Sequence, residues 1–520
     1  MGKFYITTPI YYANAPPHLG HAYADTLADA LARYHRLLGE EVFFLTGTDE
    51  HGANVVRAAE KSGKDISDFV AEHREIFKKL IKSFLISNDD FIFTSDEKRH
   101  WPGAGALWKK LAASGDIYKG VYKGLYCLGH EAFITEKDLE GGKCRDHGEA
   151  PQLIEEENYF FRLSKYTEEI KKRINSGEFQ ILPQGRRNEI LSLLDEGLKD
   201  VSFSRPAKDI SWGIPVPGDA TQTMYVWCDA LANYLSALGY GGGDESRFLR
   251  FWPANVHVIG KEILRFHAAF WPAMLLSAGL ALPKTILVHG LIQVGGRKMS
   301  KTLGNVVNPF DLVRRYGAEP VRYFLLRELP VFEDGQFSED KFREVYEGNL
   351  VNGVGNYIRR VATMIQNSFE GKIEKPSEEN IEKASLKRGK VEYVSVPYFI
   401  NHVIWPEYHK AMESFEPNRA ADAAFALIKE LDGYVQHYEP FKLVKTDRAK
   451  THAVLWNLAY GAVSLAWMLS PFLPETSSKI LDIFSAQGER ESEWKVFTIK
   501  DSPPLFPRLR QGFGGQARLK

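Results

Sequence analysis

Residues 4–21 read FYITTPIYYANAPPHLGH, an apolar run followed by a proline turn and the start of a helical pattern. Residues 4–8 have the composition of a strand, and the pattern after Pro17 continues as a helix to about Leu38. A strand that leads into a helix directs unpaired backbone N–H groups and the positive end of the helix dipole at one point, which suits a phosphate group. These residues therefore predict an α/β nucleotide-binding fold.

The tetrapeptide His18-Leu19-Gly20-His21 lies at that helix start. His18 and His21 are three residues apart on the first turn, so both side chains project from one face and can donate to the same anion. Gly20 has no Cβ, which allows a flat base such as adenine to lie against the backbone. So short a motif also occurs as two ordinary histidines at a helix start, and that alternative stays open for the tetrapeptide alone.

A second motif, Lys298-Met299-Ser300-Lys301-Thr302, follows Gly295-Gly296 in a polar segment. The flanking glycines predict a mobile loop for this segment. Two lysines on such a loop can close over a triphosphate. Alone, the lysine pair is also typical of a solvated basic turn.

Length and composition predict an ordinary soluble protein of several domains. The chain has 520 residues, of which 44% are hydrophobic and 26% charged. It shows no 18-residue apolar run and no signal-peptide pattern, which predicts a cytoplasmic protein without a membrane partner. A formal net charge of −1 argues against non-specific coating of nucleic acid, although basic clusters such as Arg359-Arg360 could contact a shaped RNA.

The order of strand and helix patterns divides the chain into regions. The two patterns alternate at first, which favours a parallel sheet with crossover helices. Aromatic runs and acidic stretches interrupt this order, and strand patterns resume at residues 224–227, 256–260 and 285–289. The predicted regions are a first half of the nucleotide fold (1–118), an inserted module (119–220), a second half (221–295), a lysine-motif loop and junction (296–345), a helix bundle (346–507) and a disordered basic tail (508–520).

Together, the two short motifs resemble the HIGH and KMSKS motifs of class I aminoacyl-tRNA synthetases, in the same order. Four further stretches are similar to pocket motifs of the bacterial methionyl-tRNA synthetases, and the resemblance covers almost the whole chain. It implies a Rossmann-like catalytic domain split by a connective insertion and followed by an α-helical anticodon-binding bundle. The four stretches are residues 10–14 (IYYAN), 47–52 (GTDEHG), 225–230 (YVWCDA) and 266–272 (FHAAFWP).

The activity implied by the resemblance is that of a methionine–tRNA ligase. The carboxylate of L-methionine attacks the α-phosphorus of ATP, which is bound with Mg²⁺, and the methionyl group then passes to elongator and initiator tRNA(Met). The site must mainly position the reactants and stabilise charge. Two alternatives remain: another class I synthetase, or a nucleotidylyltransferase that does not act on tRNA. A monomer is expected, because the appended dimerisation domain of some relatives is not recognised here.

The resemblance also assigns the ATP site. By matched position, His18, His21, Lys298 and Lys301 hold the triphosphate and form the catalytic set. Glu262 could equally be a solvated carboxylate at a helix start. The residues matched to the adenosine part of ATP are Gly20, Gly260, Glu262 and Ile292.

The methionine pocket is assigned in the same way. Asp49 follows a strand and is placed to pair with the substrate ammonium group, although its spacing also fits a helix cap before residue 53. Methionine is unbranched and apolar with a polarizable sulfur, so aromatic walls suit it. Without the family match, the wall residues would be interpreted as core packing. They are Ile10, Tyr12, Trp227, Tyr234, His267 and Trp271.

Cys127, His130, Cys144 and His147 form two pairs, each with two intervening residues, inside the predicted insertion. Two such pairs fit a tetrahedral structural Zn²⁺ site. The methionyl enzymes often carry a zinc knuckle here, usually richer in cysteine, and others have lost the ligands. A relic that packs without metal is therefore the alternative.

Asn356 and Arg360 match the family's anticodon-reading helix, in which two residues four apart share one face. An exposed polar face is the alternative for this pair. Phe441 follows Pro440 at the position of a second anticodon contact, which is a tryptophan in the family. A phenyl ring can still stack on a base, with less area and no N–H donor.

Overall fold

The computed structural model describes residues 2–129, 132–134, 136–146, 148–299, 304–485 and 494–509. The chain forms two compact units. The first unit comprises Met1–Lys82 and Ile86–Gly290, and the second comprises Ser83–Leu85 and Leu291–Lys520. Each unit buries its own set of apolar side chains.

The first unit alternates helices and strands and contains a strand-rich segment. Short 3₁₀ helices occur at Glu136–Asp138, Leu163–Tyr166 and Lys261–Ile263, and a π-helical turn at Phe266–Phe270. The elements up to residue 113 are β1 (Lys3–Tyr12), α1 (Leu19–Leu37), β2 (Glu41–Asp49), α2 (Ala53–Ser62), α3 (Ile66–Ser83), β3 (Asp90–Phe93) and α4 (His100–Ala113). The next are β4 (Ile117–Cys127), β5 (Ala132–Ile134), β6 (Leu139–Glu140), β7 (Lys143–Cys144), β8 (Gln152–Phe161), α5 (Thr167–Ser176), β9 (Gln180–Leu182), α6 (Gln184–Asp195), β10 (Val201–Ser202), β11 (Ser204–Pro206), β12 (Pro215–Val216) and β13 (Asp219–Met224). The unit ends with α7 (Val226–Leu231), α8 (Asn233–Ser236), α9 (Ser246–Phe251), β14 (Val256–Gly260), α10 (Trp271–Ser277) and β15 (Thr285–His289).

A six-stranded parallel sheet forms the centre of the first unit, in the order β3-β2-β1-β14-β15-β9. Strands β1 and β15 are buried along almost their whole length, as expected for strands covered on both faces. The predicted α/β class with a Rossmann-like sheet is confirmed. Strand β9 joins this sheet at its edge, although its residues lie within the range 119–220.

The described residues of the segment before α7 form three small antiparallel sheets, β10-β8-β4-β5, β11-β13-β12 and β6-β7. The prediction of a strand over residues 224–227 was wrong beyond Met224. Strand β13 ends at Met224, and helix α7 begins at Val226. The run Val226-Trp227-Cys228 is apolar at every position, so its periodicity cannot distinguish a buried helix from a buried strand.

The second unit is mainly helical. Longer π-helical stretches occupy Tyr346–Gly355 and Ile400–Ile404. Its first elements are β16 (Ile292–Val294), β17 (Arg297–Lys298), α11 (Pro309–Tyr316), α12 (Ala318–Arg327), β18 (Gly335–Phe337), α13 (Glu339–Val345), α14 (Asn356–Phe369), β19 (Lys372–Glu374) and α15 (Glu378–Glu382). They are followed by β20 (Leu386–Arg388), β21 (Val391–Tyr393), α16 (Val396–Phe399), α17 (Trp405–Glu413), α18 (Pro417–Tyr438), α19 (Pro440–Leu443), α20 (Arg448–Leu469), α21 (Pro474–Phe484) and β22 (Val496–Thr498).

Helix α20 is the core helix of this bundle. It is the only helix among the described residues that is long and apolar enough to cross a membrane. However, 89% of its most apolar window is buried inside the protein. Its composition is therefore explained by packing against α14, α18 and α21. The predicted disordered tail lies outside the described residues beyond Leu509.

One arginine of the second unit, Arg322, is fully buried and joins distant parts of the chain by hydrogen bonds. The guanidinium group of Arg322 on α12 is 0% exposed and donates hydrogen bonds to three backbone carbonyls. The distances are 3.0 Å to Phe84, 2.8 Å to Pro471 and 3.1 Å to Phe472. The charge is thus stabilised by peptide dipoles, and the segment Ser83–Leu85 is tied to the end of α20.

Candidate active site

Four parallel strands of the first unit end at one edge of the central sheet, at Tyr12, Asp49, Gly260 and His289. Strand β1 leads through α1 to β2 on one side, whereas β14 lies on its other side, so the strand order reverses between β1 and β14. In open parallel sheets, ligands bind at the carboxyl ends of the strands where the order reverses. This edge is therefore the expected ligand site.

His18 is the N-cap of α1, and His21 lies on its first turn. Nδ1 of His18 accepts a hydrogen bond from the backbone N–H of Gly20, and Nδ1 of His21 accepts one from the backbone N–H of His18, both at 3.1 Å. The two rings stack with centroids 3.9 Å apart. The side chains share one face, but the expectation of unpaired N–H groups was wrong for Gly20 and His18, because the imidazoles accept from both.

These hydrogen bonds also place the protons of the two rings. A backbone N–H only donates, so in each neutral imidazole Nδ1 is the acceptor and the proton is on Nε2. The ring of Tyr11 contacts His21 edge-on at 4.7 Å, and its hydroxyl donates to Asp25 at 3.0 Å. Burial raises the pKa of Asp25 to about 7, against the lowering effect of hydrogen bonds from Tyr11 and Thr46. The histidine pair is thus supported from behind by a buried carboxyl group.

Asp49 is the last residue of β2, and only 4% of it is exposed. Its Oδ1 accepts hydrogen bonds from the backbone N–H of His51 and the hydroxyl of Thr94, both at 3.3 Å. Helix α2 has Gly52 as its N-cap, without a side-chain hydrogen bond. The alternative of Asp49 as a helix cap is therefore wrong, and Asp49 stays a candidate partner for an amine.

Aromatic side chains pack together beside this strand end. Trp227 lies flat on Phe266 with ring centroids 3.7 Å apart, and edge-on to His267 at 6.3 Å. Tyr234 and Trp271 are buried, with centroids 5.9 Å apart. Ile10 and Tyr12 are partly buried and pack against the same core cluster. Four of the predicted wall residues are thus in mutual ring contact, whereas Ile10 and Tyr12 are placed only against the wider core of the first unit.

His267 is neutral and held in one tautomer. Its Nδ1 is 3.0 Å from the carbonyl oxygen of Ile263, which only accepts, so Nδ1 carries the proton. Nε2 then accepts from the hydroxyl of Tyr234 at 2.8 Å. Burial lowers the pKa of His267 to about 4. A neutral aromatic wall of this kind suits a thioether better than a charged group.

The predicted ribose site lies at the end of β14. Gly260 ends that strand, and a Cβ at this position would lie 3.2 Å from Oε2 of Glu262. His289 of β15 is in register with Gly260 and contacts the ring of Tyr23 on α1 edge-on at 5.2 Å. The start of α1 and the ends of β14 and β15 therefore meet at this point.

A buried cluster behind Asp49 was missed by the sequence analysis. Asp229 accepts hydrogen bonds from Nδ1 of His51 at 2.6 Å and Nε2 of His100 at 2.7 Å. Burial raises the pKa of Asp229, but the two imidazoles outweigh it and the pKa is lowered. Asp229 lies two residues after Trp227, so the cluster ties the end of β2 to the aromatic wall. His51 and Asp229 are visible as polar residues of the quoted stretches 47–52 and 225–230. The sequence did not show that they pair across 178 residues.

In the second unit, Ile292 is 4% exposed and lies on β16, paired with Gly335 of β18. The loop predicted around the lysine motif is a β-hairpin up to Lys298, which is exposed on β17. The turn consists of Gly295-Gly296, with φ angles of 62° and 73°. Two consecutive residues with positive φ close a two-residue hairpin turn. Lys301 lies outside the described residues.

Asn356 is exposed at the start of α14, and Arg360 lies one turn later on the same helix. The guanidinium group of Arg360 is half-buried and forms an ion pair with Asp432 of α18. Phe441 is 55% exposed on α19. All three predicted anticodon residues belong to the second unit.

Cys127 and Cys144 are each 1% exposed and lie at the ends of β4 and β7. The backbone N–H of Gly148 donates to the carbonyl of Cys144 at 2.8 Å, which closes a tight turn. His130 and His147 lie outside the described residues. Within the part of the chain that the structure describes, no group of three metal-binding side chains is found.

The chain is similar to known proteins over nearly its whole length. A family model described as tRNA synthetases class I (M) matches residues 4–146 and 134–362. A methionine–tRNA ligase of Brucella suis is 40% identical, covering 97% of this chain and 98% of that protein. One of Thermotoga maritima is 40% identical, covering 98% and 80%. Mycobacterium tuberculosis methionyl-tRNA synthetase in complex with methionyl-adenylate has a TM-score of 0.89 and 33% identity, covering 98% of this chain and 100% of that one.

Proposed function

Because this chain belongs to the methionyl family of class I tRNA synthetases, we propose that the carboxyl edge of its central sheet is the site of methionine activation. The chain activates methionine with ATP and transfers the methionyl group to tRNA. The observation that carries the assignment of the site is that two features lie at the carboxyl edge of the sheet and a third packs against β14 of the same sheet. These are the stacked imidazoles of His18 and His21, the buried carboxylate of Asp49 and the aromatic cluster around Tyr234.

Methionine is held at both ends in this proposal. Asp49 pairs with the ammonium group, and its two existing hydrogen bonds keep the carboxylate in place. The aromatic walls contact the side chain, where each sulfur–aromatic contact contributes on the order of 1 kcal/mol. Since Tyr234 and His267 are both neutral, the wall has no charge that would favour a polar amino acid.

The histidine pair acts on the phosphate chain of ATP. Both imidazoles carry their proton on Nε2, so both can donate to the oxygen atoms that gain charge as the carboxylate attacks the α-phosphorus. Mg²⁺ bound with ATP neutralises part of the phosphate charge. The proposal includes Gly260 and Glu262 as ribose contacts, Gly20 and Ile292 as adenine contacts, and Lys298 and Lys301 as phosphate ligands, by their match to the family motifs.

The substrate assignment is tested by ATP–pyrophosphate exchange with each standard amino acid, followed by charging of tRNA transcripts. Methionine alone should support exchange, and only tRNA with a CAU anticodon should be charged. Exchange with a different amino acid would reassign the pocket. Exchange without charging would favour a nucleotidylyltransferase that does not act on tRNA. Lys301→Ala should lower exchange by about 10²–10³-fold while methionine binding, followed by tryptophan fluorescence, stays near normal.

We also propose a structural Zn²⁺ ion held by Cys127, His130, Cys144 and His147. Two buried cysteines at the ends of β4 and β7, with a tight turn after Cys144, support this proposal, because thiolates in such turns are common zinc ligands. Such an ion would join the ends of these two strands. It has no part in the reaction.

Metal analysis of freshly purified protein tests the zinc site. Wild type should contain about one zinc per chain, and Cys144→Ser should lose it. Cys228→Ser is the matched control, because Cys228 is equally buried but lies in α7, where burial raises the pKa of its thiol. Wild-type protein without zinc would establish the relic instead.

Anticodon recognition is proposed for Asn356, Arg360 and Phe441. Amide and guanidinium groups can hydrogen-bond the base edges of an unstacked loop, and the exposed ring of Phe441 can stack on a base. A cytoplasmic monomer is proposed as the working form, which sedimentation of the purified chain with and without tRNA would test. A molar mass from sedimentation of twice the chain mass would contradict it.

A further inference from the structure

His257 lies beneath the aromatic cluster and is not one of the proposed substrate contacts. It is the second residue of β14, in register with Thr7 of β1, and its exposed fraction is 0%. A side chain without exposed surface does not contact substrate directly. Its influence on the reaction must therefore pass through the residues that it contacts.

Both ring nitrogens of His257 are engaged, and the partners define its tautomer. The indole N–H of Trp271 donates to Nε2 at 3.3 Å, so Nε2 carries no proton. Nδ1 must then carry the proton, and it donates to the hydroxyl oxygen of Thr7 at 2.7 Å. Burial lowers the pKa of His257 well below its usual range, and His267 lowers it further. The ring therefore remains neutral, and the acceptor at Nε2 persists at working pH.

The same ring supports a second wall residue. The rings of His257 and Tyr234 pack in a tilted arrangement with centroids 4.2 Å apart and an interplanar angle of 30°. Tyr234 in turn donates its hydroxyl to His267 at 2.8 Å. One buried imidazole thus contacts Trp271 by a hydrogen bond and Tyr234 by ring packing.

We propose that His257 is a positioning residue of the methionine pocket, which fixes the orientation of the Trp271 indole and the Tyr234 ring from below. This inference rests on the proposed function, because it assumes that these two side chains contact the methionine side chain. An indole that lost its acceptor would leave a buried N–H unsatisfied. The ring would then adopt other orientations, and the shape of the pocket would be less well defined.

Two amide substitutions separate the two ends of the imidazole. The amide of Asn reaches the position of Nδ1, whereas the amide of Gln reaches the position of Nε2. His257→Asn therefore keeps a partner for Thr7 and removes the acceptor for Trp271, and His257→Gln does the opposite. A purely structural role in joining β1 and β14 would make Asn the milder change.

The readout is the split between KM and kcat in ATP–pyrophosphate exchange. His257→Asn should raise the KM for methionine about tenfold, which corresponds to the loss of one buried hydrogen bond. The KM for ATP should stay within a factor of about two, since no ATP contact is involved. His257→Gln should raise the KM for methionine by clearly less than His257→Asn.

A double-mutant cycle with Trp271→Phe adds a second test, since phenylalanine lacks the N–H donor. In that background, His257→Asn should change the KM for methionine less than about twofold, because the coupled pair is already broken. Equal KM values for the Asn and Gln variants, or fully multiplicative effects in the cycle, would overturn the proposal. Wild-type protein without methionine-dependent exchange would instead reject the proposed function. Thermal unfolding of each variant verifies that the fold is intact.

Discussion

The first unit contains two pairs of histidines that the structure treats differently. His18 and His21 are partly exposed at the start of α1, and each is anchored through Nδ1 to a backbone N–H. His257 and His267 are at most 2% exposed, and both nitrogens of each ring are engaged by protein groups. A partly exposed histidine can contact substrate, whereas a buried histidine whose two nitrogens both bond to protein groups can only shape the site. The following predictions test this difference.

Loss of the outer pair should have the largest effect. His21→Ala should lower kcat of pyrophosphate exchange by about 10³-fold, because it removes a donor to the charge that develops on phosphate. His21→Asn should lower it equally, although its carbonyl can still accept from the backbone N–H of His18. Steady-state exchange kinetics measure both. Near-normal activity of the Asn variant would mean that His21 only caps α1, and the two pairs would no longer differ.

Asp25, which supports the outer pair through Tyr11, should make stability fall as pH rises. Its pKa is about 7 in the folded protein, so the folded state binds a proton that the unfolded chain has already released above pH 4. Wild type should lose roughly 3 kcal/mol of unfolding free energy between pH 5 and pH 8 from this group. Asp25→Asn should lack this loss. Urea unfolding of both proteins at the two pH values measures it, and parallel pH dependences would contradict it.

His267 of the inner pair should produce the opposite slope. Its folded pKa of about 4 is lower than the value of 6.5 for an ordinary histidine, so the unfolded state binds more protons below pH 6.5. Its contribution to stability is complete above pH 6.5 and is lost as pH falls towards 4. Wild type should lose roughly 2 kcal/mol relative to His267→Gln between pH 7 and pH 5. An equal pH dependence of the unfolding free energy for the two proteins would mean that the folded state does not keep His267 neutral.

Arg360 extends the comparison to the second unit, since its guanidinium group is anchored by Asp432 while it remains partly exposed. Arg360→Gln should lower kcat/KM for tRNA charging about tenfold, the cost of one lost base contact. Pyrophosphate exchange should be unaffected, because amino-acid activation does not require the anticodon. Arg359→Gln is the matched control, since Arg359 is exposed on the same helix and forms no ion pair in the described structure. Equal loss in both variants would indicate general electrostatic attraction to RNA.

Local patterns predicted the elements that carry the site. The apolar runs of β1, β14 and β15 and the helical pattern of α1 lie close to the bounds in the structure. Each of these is long or strongly apolar, so its own residues determine its type. By contrast, the run from Val226 is apolar throughout, and only its packing decides that it is helical.

Contacts between distant residues could not be predicted. Nothing near His257 indicates that its partners are Thr7, 250 residues earlier, and Trp271 on the following helix. The same holds for the cluster of His51, His100 and Asp229. The family resemblance provided the residues proposed to contact substrate, whereas the buried residues that support them required the fold. Lys301, His130 and His147 stay predictions, since they lie outside the described residues.

The hydrogen bonds of Arg322 have a consequence for protein synthesis. The carbonyl of Phe84 bonds to a guanidinium group 238 residues later in the chain, and that group also bonds to residues near position 472. At a translation rate of about 5–20 residues per second, Phe84 waits roughly 10–50 s for its partner after leaving the ribosome. During this interval the strands on either side of Ser83–Leu85 can already pair. The second unit is therefore completed late, around a short segment made long before the rest of it.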